Sequence, residues 1–246
     1  MKFIALIFLF LFYAFFHYQE KQTSATTVLN DSTAVKLNID GPSRNVIKQQ
    51  TKIFSSYSIK VSLDVQKKLL KASQIITWKN PLNIPASELY FHLYPNAFSN
   101  KRTEFLKRKR IPENSLSHIS INKVTVNHQQ KVLQYVSEQT GNTFDSTVAK
   151  IVLDQPVSQN DSLEIEFEYE VKIPKAYSRF GYDANEKFFF LAQWFPKLGV
   201  YENGEWTCEP YYPFTEFYSD FSNYALEITI PNGFVLASSG EVKEKK

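Results

Sequence analysis

The chain of 246 residues contains a single cysteine, Cys208. One cysteine excludes an intrachain disulfide and a zinc knuckle built from cysteines. A lipoprotein signal is also excluded, because no cysteine directly follows the apolar N-terminus. Cys208 lies between Thr207 and Glu209, in an aromatic stretch with no histidine nearby in the sequence. We therefore predict a packed, unreactive thiol rather than a nucleophile.

Histidine is also scarce, with four residues: His17, His92, His118 and His128. None belongs to a His-Glu-x-x-His motif and no pair has i, i+4 spacing, so a helical zinc site is excluded. The sequence also lacks a Gly-x-Ser-x-Gly elbow, a phosphate loop and a dinucleotide fingerprint. His92 is predicted to be a buried structural residue, and His118 and His128 to be exposed near strand ends.

The charge balance is ordinary, with 22% charged residues and a formal net charge of +3. The basic residues are not gathered on one long face, which argues against nucleic acid as a partner. One dense basic run spans residues 101–110, and we interpret it as a solvated loop rather than a phosphate site.

The N-terminus has the pattern of an export signal. Lys2 precedes an almost unbroken apolar run from residue 3 to residue 16. This run suits a secretory signal, and it is short for a spanning helix of about 20 residues. No small-x-small cleavage site follows it directly, so residues 1–19 are a signal peptide or a signal anchor. The chain is therefore expected to be periplasmic, extracellular or membrane-anchored, with possible membrane association through residues 3–16.

Residues 20–52 are polar and predict a linker or a weakly ordered lead-in. From residue 53 onward, short stretches alternate apolar and polar residues and are separated by turn signals. Residues 57–66 and 70–78 predict one hairpin, and residues 119–126 and 131–136 a second. Residues 53–246 therefore predict one all-β domain, an antiparallel β-sandwich or saddle. The four glutamates at 164, 166, 168 and 170 share one strand face, which we interpret as solvated.

The segment from residue 188 to residue 224 contains fourteen aromatic residues, broken by prolines and glycines. Such ring area is normally buried or forms a recognition surface. Two interpretations stay open. The segment is either an irregular stretch packed over the β core, or the wall of a binding cleft with Gln193 as its polar group.

Several segments resemble one known family. The resemblance is carried, in chain order, by residues 57–64, 76–80, 89–96, 192–201, 216–224 and 231–240. Together they resemble the N-terminal domain of the gluzincin zinc aminopeptidases, the family of membrane alanyl aminopeptidase and leukotriene hydrolase, in its bacterial branch. The resemblance implies a β-saddle that packs on a thermolysin-like zinc domain. The zinc ligands, the general-base glutamate and the exopeptidase loop of that family would all lie after Lys246.

The resemblance implies a non-catalytic substrate-binding or accessory domain of an exported zinc aminopeptidase, present as a truncated or split chain. No cofactor is expected in this chain, and zinc is expected only in the missing catalytic domain. Gln193 matches the residue that receives the free α-amino group of a peptide, with Trp194 and Phe195 beside it as substrate-binding residues. Phe195 stands where the family has a second glutamine or a glutamate. The expected partners are peptide N-termini and a separately encoded zinc-peptidase domain.

A second function also fits the residues, a free-standing secreted β-sandwich that binds a peptide or a glycan. Residues 188–224 would then be its binding platform. If the chain is the accessory domain, no catalytic domain covers its side of the cleft. Much of the area between Trp194 and Tyr218 should then be exposed. Gln193 would be structural if it only caps the end of a strand.

Overall fold

The computed structural model describes residues 52–137 and 140–245, together with three N-terminal strands at residues 3–8, 27–28 and 33–39. The interpretation of residues 1–19 as a signal or anchor lies mostly outside the described residues. Within them, Phe3–Phe8 is an extended strand. Among the described residues, no helix is long and apolar enough to cross a bilayer.

The described part of the chain consists of strands and two 3₁₀ helices, Tyr94–Phe98 and Glu113–Ser115, and it contains no α-helix. The all-β prediction is therefore confirmed. The strands are β1 (Phe3–Phe8), β2 (Thr27–Val28), β3 (Thr33–Ile39), β4 (Ser55–Asp64), β5 (Leu69–Lys79), β6 (Ala86–His92), β7 (His118–Val126), β8 (Gln129–Gln130), β9 (Gln134–Tyr135), β10 (Val148–Val157), β11 (Ser162–Lys172), β12 (Phe180–Tyr182), β13 (Phe188–Ala192), β14 (Lys197–Leu198), β15 (Val200–Glu202), β16 (Glu205–Thr207), β17 (Ser222–Ile230), β18 (Phe234–Ala237) and β19 (Glu241–Lys245).

The largest sheet of the described residues has the order β19-β3-β17-β4-β5-β11-β7-β8. Neighbouring strands in this sheet are antiparallel, except for β4 and β17, which run parallel to each other. The predicted first hairpin is confirmed as β4 and β5, with Lys68 at the turn in a left-handed conformation (φ 55°). Strict alternation places Ile59, Val61 and Leu63 of β4 in the core, with exposed Lys60 and Ser62 between them.

A second sheet, of order β14-β6-β10-β9, packs on the first. Phe91 of β6 meets Phe167 of β11 edge to face, with ring centroids 5.1 Å apart. Both rings are fully buried, as is Leu89 on the same face of β6. This contact places the main core between the two sheets, in agreement with a sandwich or saddle.

One prediction about local structure needs correction. In the second hairpin, β7 pairs with β8 over only two residues, and the chain then leaves the large sheet. The next strand, β9, pairs with β10 in the second sheet instead. The range 20–52, predicted to be a linker, contains β2 and β3, and β3 pairs with β17. Its sequence does alternate, since Val35, Leu37 and Ile39 flank polar Lys36 and Asn38.

A third sheet, of order β12-β13-β1-β18-β2, leads into the aromatic segment. Gly181 in β12 has φ 140°, and a Cβ there would lie 2.4 Å from Cα of Ala176. Only glycine fits this close approach. Within this sheet, β13 ends at Ala192, and Gln193 follows directly after it.

Candidate functional site

Gln193 is held in an unusual backbone conformation at the end of β13. Its φ is 55°, in the left-handed region that non-glycine residues rarely adopt. Such a conformation costs about 1 kcal/mol or more and persists only where the surrounding structure enforces it. The residue is 6% exposed. The fold therefore determines where this side chain lies, although the sequence contains no sign of the strain.

Gln193 lines a small, mainly aromatic cavity. The other lining residues are Tyr94, Pro95, Phe98, Arg179, Phe180, Ala192, Tyr211 and Phe217. The cavity volume is about 10 Å³, which is near the lower limit for one water molecule. Burial raises the pKa of the Tyr211 hydroxyl, so this group stays neutral at physiological pH. None of the lining residues is a histidine, cysteine, aspartate or glutamate, so the cavity has no metal-ligand set.

Arg179 is the cationic group at this cavity, and it has an acidic neighbour. Its Nη2 lies 3.5 Å from Oε2 of Glu216, and its guanidinium carbon lies 5.0 Å from the centre of the Phe217 ring. The ion pair and the ring both hold the guanidinium at the cavity's rim. The cation is therefore partly neutralised there.

Trp194 and Phe195 were predicted to be substrate-binding residues, and the structure places both in the core. Trp194 is fully buried and Phe195 is 2% exposed. The two rings lie 5.4 Å apart, and Phe195 also lies 5.9 Å from Tyr57 and 6.0 Å from Tyr224. Neither ring presents a surface to a ligand in this conformation. Both contribute packing that supports the adjacent Gln193.

The expectation of a largely exposed aromatic surface between residues 194 and 218 is wrong. In that range the structure exposes two rings, Phe214 and Tyr218. Tyr211 instead stacks on Phe105, with ring centroids 4.5 Å apart. Large rings bury their area wherever neighbouring elements can cover them, and here residues 98–106 provide that cover. The segment is therefore mainly an irregular stretch packed over the core.

A second buried group lies on the outer face of β6. Lys197 of β14 stands opposite His92, so both side chains are on the same face of the sheet. Nδ1 of His92 lies 3.5 Å from Sγ of Cys208. Burial and, to a smaller extent, the nearby charge of Lys197 lower the pKa of His92 to about 3. Burial also raises the pKa of the Cys208 thiol well above its ordinary value, which agrees with an unreactive cysteine.

Sequence reasoning predicted that His92 would be buried but gave no indication for Lys197. Lys197 is 3% exposed, and no hydrogen bond or ion pair joins its ammonium group to another described residue. Burial lowers its pKa to about 8. A two-residue strand is too short to show alternation, so the burial of this lysine is visible only in three dimensions.

No family model matches this chain, and no curated protein matches it. Among solved structures it is similar to a mutant of the M1 zinc metallopeptidase from Deinococcus radiodurans. The identity is 11% and the TM-score 0.37, over 74% of this chain and 33% of that chain. It is also similar to yeast LTA4 hydrolase in complex with bestatin, at 12% identity and TM-score 0.29, over 52% of this chain and 17% of that chain. The chain thus spans about a third or less of the length of these proteins.

Proposed function

We propose that this chain is the non-catalytic N-terminal accessory domain of an exported zinc aminopeptidase. In this proposal it binds the substrate's N-terminus and does not hydrolyse peptides. The residues of the cavity do not fit a catalytic zinc ion, since they include no ligand for one. Zinc would belong to a separate catalytic domain. Export rests on the apolar run at residues 3–16.

Segments of the resemblance meet beside the cavity, which supports the proposal. β14, from the segment 192–201, pairs with β6 through Leu198 and Phe91. Gln74 of β5 donates a hydrogen bond from Nε2 to the carbonyl oxygen of Pro196, at 2.8 Å. Tyr57 of β4 accepts one from the backbone N–H of Leu198, at 3.1 Å. The strands of the resemblance therefore hold the chain immediately after Gln193.

The observation that carries the proposal is the strained Gln193 at an aromatic cavity. An α-ammonium group is close in size to the single water molecule for which the cavity has room. A carboxamide oxygen can accept a hydrogen bond from that ammonium, and ring faces attract a cation. The pairing of Arg179 with Glu216 reduces the repulsion that the guanidinium would otherwise exert.

Peptide binding tests this role. A short apolar peptide with a free N-terminus would be titrated into the full chain by isothermal titration calorimetry, beside its N-acetylated form. Gln193→Met keeps the side-chain length but removes the acceptor. A hydrogen bond to a charged group contributes about 1.5–3 kcal/mol, so we expect the free peptide to bind roughly tenfold to a hundredfold more weakly. Exposed Gln134, changed to Met, is the matched control.

Equal losses for the free and the acetylated peptide would show that Gln193 is structural. Binding of a glycan in place of the peptide would support the free-standing module instead. That alternative needs a platform of exposed rings, and residues 188–224 expose only Phe214 and Tyr218 among their large apolar side chains. The accessory domain is therefore the better-supported function.

A further inference from the structure

A histidine lies over the acidic face of β11, and neither β11 nor the turn that carries this histidine lines the aromatic cavity. It belongs to the two-residue turn between β7 and β8, where Asn127 (φ 47°) and His128 (φ 64°) are both left-handed. The backbone N–H of Asn127 donates to the carbonyl oxygen of Glu164 at 2.8 Å, and its Oδ1 accepts from the N–H of Glu164 at 3.0 Å. These bonds fix the turn against β11.

The turn places His128 between two carboxylates. Its Nδ1 lies 2.8 Å from Oε1 of Glu166, and its Nε2 lies 3.9 Å from Oε1 of Glu164. Glu164 and Glu166 are two residues apart on one strand, so their side chains leave the same face. One ligand atom from each of the three residues lies within 4.8 Å of the others. Three donors therefore converge on one point of the surface.

The charge along β11 is balanced everywhere except at this point. Glu168 pairs with Lys123 at 3.6 Å, and Glu170 pairs with Lys71 at 3.3 Å. No lysine or arginine among the described residues lies within ion-pair distance of Glu164 or Glu166. Their neighbour is His128, which carries a charge only when protonated. No described lysine or arginine therefore offsets the negative charge of these two carboxylates, and a divalent cation would balance it.

We propose that His128, Glu164 and Glu166 bind one divalent transition-metal ion of the Zn²⁺ type. Imidazole nitrogen and carboxylate oxygen are both zinc ligands, at about 2.0–2.2 Å from the ion. Three protein ligands leave further positions for water. The histidine favours Zn²⁺ over Mg²⁺ or Ca²⁺, which prefer oxygen ligands alone. This site is separate from the cavity at Gln193, and it does not depend on the proposed function.

Metal titration of the full chain tests the proposal. Zn²⁺ binding would be measured by calorimetry, and Co²⁺ binding by its visible absorption, which reports the coordination number. The test variant is His128→Asn, because asparagine tolerates the left-handed backbone and the fold should persist. We expect one ion per chain in the wild type, and at least tenfold weaker binding in His128→Asn and in Glu166→Gln. His118→Asn, an exposed histidine of the same hairpin, should bind the ion within twofold of the wild type.

Three results would overturn the site. The first is no zinc binding at millimolar concentration in the wild type. The second is undiminished binding in His128→Asn, which would place the ion elsewhere. The third is equal affinity for Mg²⁺ and Zn²⁺, which would indicate non-specific attraction to the acidic face. Circular dichroism of each variant checks that the fold is retained.

Discussion

At the scale of single residues, Lys197 is a buried cation with no anionic partner among the described residues. Removing its charge should stabilise the fold, because an uncompensated buried ammonium loses its hydration. Its pKa is about 8 in the folded chain, against the ordinary value of 10.5. The unfolded chain therefore binds more protons between these two values. The free energy of unfolding should rise as pH increases through this window.

We predict that Lys197→Met removes this rise and is more stable than the wild type at pH 7. The two pKa values correspond to a rise on the order of 3 kcal/mol in the wild type. Urea denaturation between pH 7 and pH 10.5 measures it. Lys60→Met, at an exposed position of β4, should keep the wild-type profile. The same profile in wild type and Lys197→Met would show that the ammonium is hydrated in solution.

Gly181 allows the backbone of β12 to pass close to Ala176, an approach that a side chain would block. We predict that Gly181→Ala destabilises the chain by at least about 3 kcal/mol, from the clash and the left-handed φ together. The denaturant midpoint would fall. The matched control is Gly141→Ala, where φ is also positive (64°) but nothing lies within 4 Å. Similar losses in both variants would mean that the backbone conformation alone sets the cost.

At the scale of elements, the sequence predicted the strands that have one wet face. β4 and β5 were predicted within about two residues, because each alternates between core-facing and solvent-facing residues. The shared strand face of the four glutamates was also predicted, and it lies on β11. The prediction of the second hairpin was wrong because residues 131–136 pass from the large sheet to the second sheet. Periodicity identifies a strand and not its partner. Such a change of sheet cannot be read from the pattern.

The candidate site was predicted only in part. Its location in the aromatic segment and the choice of Gln193 followed from composition and from the resemblance. The burial of both Trp194 and Phe195 could not be predicted in this way, because adjacent side chains in an extended stretch point to opposite sides. The chain turns at Gln193, which lets both rings enter the core. Residues 98–106, which cover Tyr211, are distant in sequence, so this burial depends on tertiary packing.

At the scale of the whole molecule, β3 joins the N-terminal region to the large sheet. It lies between β19 and β17 and pairs antiparallel with both. Because β4 covers the other side of β17, removal of β3 would leave the remaining side of β17 open. Unpaired strand edges of this length promote association with other chains. The region predicted to be a linker should therefore contribute to both stability and solubility.

We predict that a chain that begins at Lys52 is less stable than one that begins at Glu20, and that it self-associates. Loss of β3 removes the hydrogen bonds from Thr33–Ile39 to β17 and also the support of β19. The midpoints of thermal unfolding would compare the stabilities, and sedimentation velocity the association states. Leu37→Lys, a charged substitution in β3 of the longer chain, should give a midpoint of thermal unfolding between those of the two chains. If both chains are monomeric and unfold at the same temperature, β3 contributes nothing to the sheet, and residues 20–52 act only as a linker.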